Sequence, residues 1–345
     1  MSLHLIIFVA LFMGLLTGES AALVVCDWGG DTSKIQKEAF YEPFEKATGI
    51  KVTAVAQPSA AKVKAMYEAN NMEWDVICMG GNTLALTEKM GLMEKIDYKY
   101  FDQKILDQLY QEAKHPFGVG IYYFSMVISY RTDVYPKGKH PKNWAEFWDV
   151  KKFPGPRCLH SPVGAATGWE PALLADGVPM DKLYQNPDLD RAFMKMKEIK
   201  PHVVKWWEHA QLPVQMLVDK QIVLADAYNA RIELIKEQGV PVDYEWNGGR
   251  LYLLYWTTPK RSRYREDALK FIAFASRADR QAAFVQRLAY GPVNKEAFKT
   301  LSPQRAAILP SAPDNIKKQY LIDDEWYRDN TSIVIDRWNK WILEK

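Results

Sequence analysis

Cysteine is scarce in this chain, with three in 345 residues, so no disulfide framework holds it together. Charge of one sign is lacking too. Lys and Arg number 45 against 42 Asp and Glu, a formal +3, which leaves no electrostatic footprint for nucleic acid. The sequence has no G-x-x-x-x-G-K-S/T, H-E-x-x-H, paired C-x-x-C or G-x-S-x-G, the phosphate, zinc and serine-hydrolase signatures. The histidines, His4, His115, His140, His160, His202 and His209, show no ligand-like spacing. His202 and His209 stand two helical turns apart, but Pro201 and Pro213 bracket them. No cofactor and no metal are expected. Past residue 22 there is no apolar run long enough to span a bilayer.

What is present is an ordinary globular balance, 48% hydrophobic and 13% aromatic, which excludes intrinsic disorder. At roughly 100–200 residues per domain, the length predicts two domains. Leu5 to Leu16 is apolar, broken only by Gly14, and ends in Thr17-Gly18-Glu19-Ser20-Ala21-Ala22. That pattern predicts a signal peptide over residues 1–22 and an exported, periplasmic protein, although its n-region has neither Lys nor Arg. A buried N-terminal helix is the alternative.

Leu23-Val24-Val25-Cys26 reads as a buried strand entering the glycine turn Asp27-Trp28-Gly29-Gly30. A helix is expected from Thr32 or Ser33, with Ile35, Ala39, Phe40 and Phe44 on one face and Gly49 ending it. Ile50 to Val55 alternates as a strand, and Ala61 to Ala69 reads as a helix. Trp74 to Met79 then repeats the theme, a strand into Gly80-Gly81, before a helix from Asn82 to Gly91. Strand, glycine turn and helix twice in succession predict a parallel α/β sheet whose ligand edge carries both turns. Val119 to Tyr130 reads as an extended crossing segment into a second, proline-marked domain. There, strands are expected at 157–160 and 222–227, and helices near 169–175 and 189–199. Leu251 to Thr257 is a second crossing strand, followed by helices at 265–275 and 279–288. Two crossings imply a discontinuous first domain and a hinge.

Several stretches carry a resemblance: Trp28-Gly29-Gly30, Phe44-Glu45-Lys46-Ala47-Thr48-Gly49-Ile50-Lys51-Val52, Trp74-Asp75-Val76-Ile77 and Gly91-Leu92-Met93-Glu94-Lys95-Ile96-Asp97. Further on come Asn143-Trp144-Ala145-Glu146-Phe147-Trp148, Ala225-Asp226-Ala227-Tyr228-Asn229, Ala268-Leu269-Lys270-Phe271-Ile272 and Tyr290-Gly291-Pro292-Val293-Asn294. In this order they resemble the extracytoplasmic solute-binding proteins of ABC importers, in the spermidine/putrescine-binding branch, along nearly the whole chain after residue 22. The resemblance implies a two-lobed periplasmic binding protein of type II, each lobe a mixed sheet flanked by helices. The lobes are expected at 23–129 with 259–303 and at 130–258 with 304–345. A monomer closing on a small-molecule solute, for delivery to a membrane permease, is the implied mode of action.

Trp28 stands where that family's first-lobe pocket aromatic lies, in a turn where a core indole is unusual. Gly29 and Gly30 precede a helix, so free N–H groups could take a ligand carboxylate or phosphonate, and Gly80, Gly81 and Asn82 repeat that geometry. Plain turn chemistry explains both equally. Of Tyr122 and Tyr123, at most one can face the cleft, because adjacent strand residues point opposite ways. The resemblance places Tyr228, Tyr252 and Tyr290 as further pocket aromatics. Asp226, on the same face as Tyr228, is the candidate partner for a ligand amine, or else a strand-end cap. Arg231 could hold a ligand carboxylate, or be a solvated helix residue. Trp206-Trp207 with Gln211 resemble a branch with paired tryptophans before a Gln-rich helix, and core packing should claim at least one ring, leaving Trp206 as a candidate.

Polyamine binders of this family carry a carboxylate two residues after the aromatic of the second crossing strand, where this chain has Leu254. They carry others in a loop that here reads Gly164-Ala165-Ala166-Thr167-Gly168. A dication needs two anionic ends, because a buried unpaired ammonium costs several kcal/mol. The expected solute is therefore a zwitterion or monoamine: an ω-amino acid such as 4-aminobutyrate, an opine-like compound or an aminophosphonate, with a polyamine as the other option. The rival class is a thiaminase-like transferase or hydrolase using a cleft cysteine, Cys78 first among them, for which the sequence nominates no activating base.

Overall fold

The computed structural model describes residues 22–162 and 168–344. Residues 1–21 of the expected signal peptide and the Gly164–Thr167 stretch lie outside the described residues. Among the described residues eleven strands form the sheet: β1 Leu23–Asp27, β2 Val52–Ala56, β3 Val76–Gly80, β4 Lys114–His115, β5 Gly118–Arg131, β6 Arg157–His160, β7 Val203–Trp207, β8 Leu224–Tyr228, β9 Val242–Thr257, β10 Gly291–Pro292 and β11 Gln319–Leu321. Their main order is β2-β1-β3-β9-β5-β8-β6-β7. At one end β1 pairs in parallel with β2 and β3; at the other β6 pairs in parallel with β7 and β8. The long antiparallel pair β5 and β9 joins the two parallel halves. The molecule is thus a two-lobed α/β protein with crossing strands between its lobes, as the sequence predicts.

The apolar residues explain this split. One cluster gathers Val25, Phe40, Phe44, Trp74, Tyr122, Leu254, Trp256 and Phe284. Two others hold the far side, one around Trp144, Phe147, Trp169 and Phe193, the other around Cys158, Trp207, Ala225 and Ile232. The inner parallel strands β1 and β3 are near-continuous buried runs, as strands covered on both faces are, while the outer β2 and β7 are largely open to solvent. Along β5 the cluster membership changes between Tyr123 and Met126, near where its register with β9 breaks between Met126 and Ile128. On β9 the chain passes through Gly248 at φ 78°, and a Cβ there would stand 2.7 Å from the Trp144 ring. Only glycine meets both conditions.

Most elements fall where the hydrophobic pattern puts them, the helices Leu189–Ile199 and Arg265–Ala275 to the residue. Three differ. The first helix begins at Gly30 rather than Thr32 or Ser33, and the Ser33 hydroxyl is spent on Asp27 instead of a cap. The second crossing strand starts at Val242, nine residues early, because its polar residues there are held by tertiary partners, Asp243 by Lys236 and Glu245 by His140. Val203–Trp207 is a strand without apolar alternation, recruited by pairing to β6. Among the described residues no helix is long and apolar enough to cross a membrane.

Candidate functional site

The antiparallel register sets Phe124 of β5 opposite Tyr252 of β9, and their rings stack at 4.8 Å and 4°. Two residues back, on the same face, Tyr122 stacks on Tyr290 at 4.6 Å and 6°. Tyr228 meets Phe124 edge-on at 5.5 Å, and Trp207 meets Tyr228 at 5.9 Å. A ladder of rings therefore runs from the second lobe across the crossing strands into the first. Phe124, Tyr228, Tyr252 and Tyr290 remain partly open to solvent. Such faces carry negative potential and attract organic cations. Four sequence-nominated tyrosines, Tyr122, Tyr228, Tyr252 and Tyr290, thus meet in one place. Phe124, which joins them, was missed, though the two-residue strand period from Tyr122 points to it. Tyr123 faces away, donating to Glu112 at 2.9 Å.

On the first-lobe side, Asp27 ends β1 fully buried and accepts three neutral donors: the Gly29 N–H at 2.7 Å, the Ser33 hydroxyl at 2.7 Å and the Tyr41 hydroxyl at 2.8 Å. This fixes the left-handed turn at Gly29 and Gly30, φ 73° and 63°, and leaves Trp28 half exposed with its indole N–H directed at the Cys78 thiol. Thr32, one step into the helix, hydrogen-bonds Tyr290 and ties this wall to the ladder. The glycine turns offer less than the sequence suggested. Asp27 already takes the Gly29 N–H, while Gly30 is exposed. At Gly80-Gly81-Asn82 the helix N-terminus is occupied from within, because the Asp324 carboxylate lies over Gly81 and accepts from the Asn82 N–H.

In the second lobe, Asp226 is buried and its Oδ2 is bonded by Arg250, so it is not a free carboxylate awaiting an amine. Burial pushes its carboxyl up, against the pull of the guanidinium. Arg250 also lies 3.9 Å from the buried Glu170, which in turn accepts from the hydroxyls of Tyr184, at 2.9 Å, and Tyr327. Among the described residues, Asp226 Oδ1 and Arg250 Nε and Nη1 have no hydrogen-bond partner within ordinary geometry. Arg250 carried no signal in the sequence beyond lying two residues before Tyr252. Trp206 is not a cleft ring: it packs on Trp338 and Trp341 of the C-terminal helix at 5.1 and 5.4 Å, and its neighbour Trp207, on the opposite face of β7, takes the cleft side. Arg231 is exposed, held by Gln211 at 2.8 Å, and its charge reaches the hydroxyls of both Tyr228 and Tyr290. Burial pushes Tyr228 up to about 12, so its hydroxyl stays neutral.

The three cysteines are free and buried. Cys26 and Cys78 lie on paired strands, but Cys26 stands opposite Ile77, not Cys78. Burial drives the Cys26 thiol up to about 12 and Cys78 and Cys158 well above the ordinary range, with Asp27 and Asp226 adding to the latter two. A nucleophile needs the reverse. Among the described residues no cluster of three or more His, Cys, Asp or Glu could hold a metal ion.

A model of the bacterial extracellular solute-binding protein family matches residues 39–311. The gamma-aminobutyric acid-binding protein of Pseudomonas aeruginosa is 34% identical over 330 residues, 94% of this chain and 91% of that protein. Among solved structures, an ABC transporter substrate-binding protein from Bradyrhizobium japonicum superposes with a TM-score of 0.85 at 32% identity, covering 94% of this chain and all of that one. A GABA receptor superposes with a TM-score of 0.82 at 33% identity, covering 94% and 98%.

Proposed function

Because the chain belongs to the bacterial extracellular solute-binding proteins, we propose that it captures a small zwitterionic amine of the 4-aminobutyrate type between its lobes and hands it, chemically unchanged, to the permease of an ABC importer. In this reading the protein is a periplasmic monomer, residues 1–22 are its signal peptide, and the lobes are 23–129 with 259–303 and 130–258 with 304–345. The observation that carries it is the pairing of an open aromatic ladder with one exposed guanidinium at its edge, Arg231. The ammonium rests against the ring faces of Trp28, Phe124 and Tyr252, and the carboxylate reaches the fork of Arg231. Among the described residues a second ammonium finds no ready partner. Asp226 is spent on Arg250, Asp27 on three donors, and Leu254 is apolar and buried. The two relatives whose names mention gamma-aminobutyric acid or GABA support the same solute class.

Calorimetric titration with 4-aminobutyrate, putrescine, spermidine, an opine and an aminophosphonate tests the proposal. 4-Aminobutyrate is expected to bind at least about tenfold more tightly than either polyamine, a difference of roughly 1.4 kcal/mol. Arg231→Gln should weaken it by a similar factor with no loss of thermal stability, since Arg231 is exposed. Preference for a polyamine, or recovery of the solute as a different compound, would overturn the reading.

A further inference from the structure

The C-terminal helix Asp324–Trp341 is rooted in one lobe and touches the other. Its Tyr327, Val334, Trp338 and Trp341 are buried in the second-lobe cluster with Trp144 and Trp169. Its first turn instead packs on helix Gly81–Lys89, whose Leu84 belongs to the first-lobe core. There the Asp324 carboxylate fills the space where a Cβ on Gly81 would be and accepts from the Asn82 N–H. Further along, Asp329 pairs with Lys89 at 2.7 Å. Three residues after Asp324, on the same turn, Tyr327 donates to Glu170 of the buried Glu170–Arg250–Asp226 cluster behind the second-lobe cleft wall. One helical turn therefore joins a first-lobe helix end to the charges beneath the aromatic ladder.

We infer that the C-terminal helix is a strut between the lobes, and that docking of Asp324 on the N-terminus of helix 81–89 is a pH-dependent latch that sets how readily the lobes move and hence solute affinity. In this inference Asp324 is a positioning residue that acts through helix 81–89, on which it docks. Helix N-termini favour an anion, but burial, and then the neighbouring charge of Asp323, push this carboxyl up to about 7. The other groups facing this contact are Glu325, Arg328 and Asp329 on the same helix, Glu88 and Lys89 on helix 81–89, His115 on β4 and Tyr255 on β9. Lys89 and Arg328 are both spent on Asp329, and burial lowers His115, so none of these supplies Asp324 with a cation. Because its pKa is raised on docking, the docked form has its full advantage below about 4. It loses that advantage as pH rises towards about 7, and does not change further above it.

Hydrogen exchange of the ligand-free full chain, corrected for intrinsic rates, tests the latch without any solute. Amides at the start of helix 81–89 should open at least about threefold more at pH 8 than at pH 5 in the wild type, and equally at both in Asp324→Asn, which keeps an acceptor but cannot ionise. Gly81→Ala, which displaces the carboxylate, should open fully at both pH values and serves if Asp324→Asn does not fold. The affinity for 4-aminobutyrate should shift with pH in the wild type and not in Asp324→Asn; this arm alone rests on the proposed solute, so absence of binding would count against that solute and leave the exchange arm to decide. Equal exchange profiles for wild type and Asp324→Asn would overturn the inference.

Discussion

Asp27 and Asp226 occupy matching places on the two sides of the cleft, each on a parallel strand just ahead of an aromatic residue and each only 1% exposed. They are satisfied in opposite ways. Asp27 accepts from one backbone N–H and two hydroxyls, all within its own lobe and within 14 residues of itself. Asp226 depends on Arg250, 24 residues away on a crossing strand, and one of its oxygens finds no partner among the described residues. The local arrangement holds a turn in shape with no charge partner to lose. The distant one ties a cleft wall to the crossing strand, at the cost of a buried charge cluster whose members need each other.

The difference predicts unequal damage. Arg250→Met should be the most destructive change, costing about 3–5 kcal/mol in urea or thermal unfolding, because Asp226 and Glu170 would be left buried without a cation. A loss under about 1 kcal/mol would show that the cluster is not charged as drawn. Asp27→Asn exchanges one acceptor oxygen for an amide, so at least one of the Ser33 and Tyr41 hydroxyls should lose its partner. About 1–3 kcal/mol is expected, with weaker solute binding as the Trp28 turn loosens. Unchanged binding with that stability loss would separate the turn from the site. The smallest effect concerns the thiols beside these aspartates. Native Cys78 and Cys158 should resist iodoacetamide at about pH 8, since burial and the nearby carboxylates both disfavour the thiolate. Rapid labelling of either, read by mass spectrometry, would break the symmetry and reopen a nucleophilic role.

How much could be read in advance follows the same division between local and distant. The strand and glycine turn at Leu23 to Gly30, the helices at 189–199 and 265–275 and the crossing segment after Gly118 are written in periodicity and turn residues. The rings Tyr122, Tyr228, Tyr252 and Tyr290 were also legible, three of them through the family resemblance. Trp206 and the Gly80-Gly81 turn were misjudged for one reason. Which face of β7 meets the C-terminal helix, and which carboxylate reaches a helix end, depends on chain segments well over a hundred residues away in sequence. Gly29 is the exception, since its N–H is claimed two residues back, by a local Asx turn that the free-donor reading overlooked.

The amino-acid order alone determined the class of molecule: two α/β lobes, crossing strands and an aromatic-rich middle. Those features depend on residue periods of two and 3.6 and on steric rules that act within a few residues. Tertiary structure decided the partners. It placed Arg250 on Asp226, Asp324 on Gly81 and Phe124 on Tyr252, because buried charges and rings are satisfied by whatever the fold brings within a few ångströms, and sequence separation has no bearing on that distance.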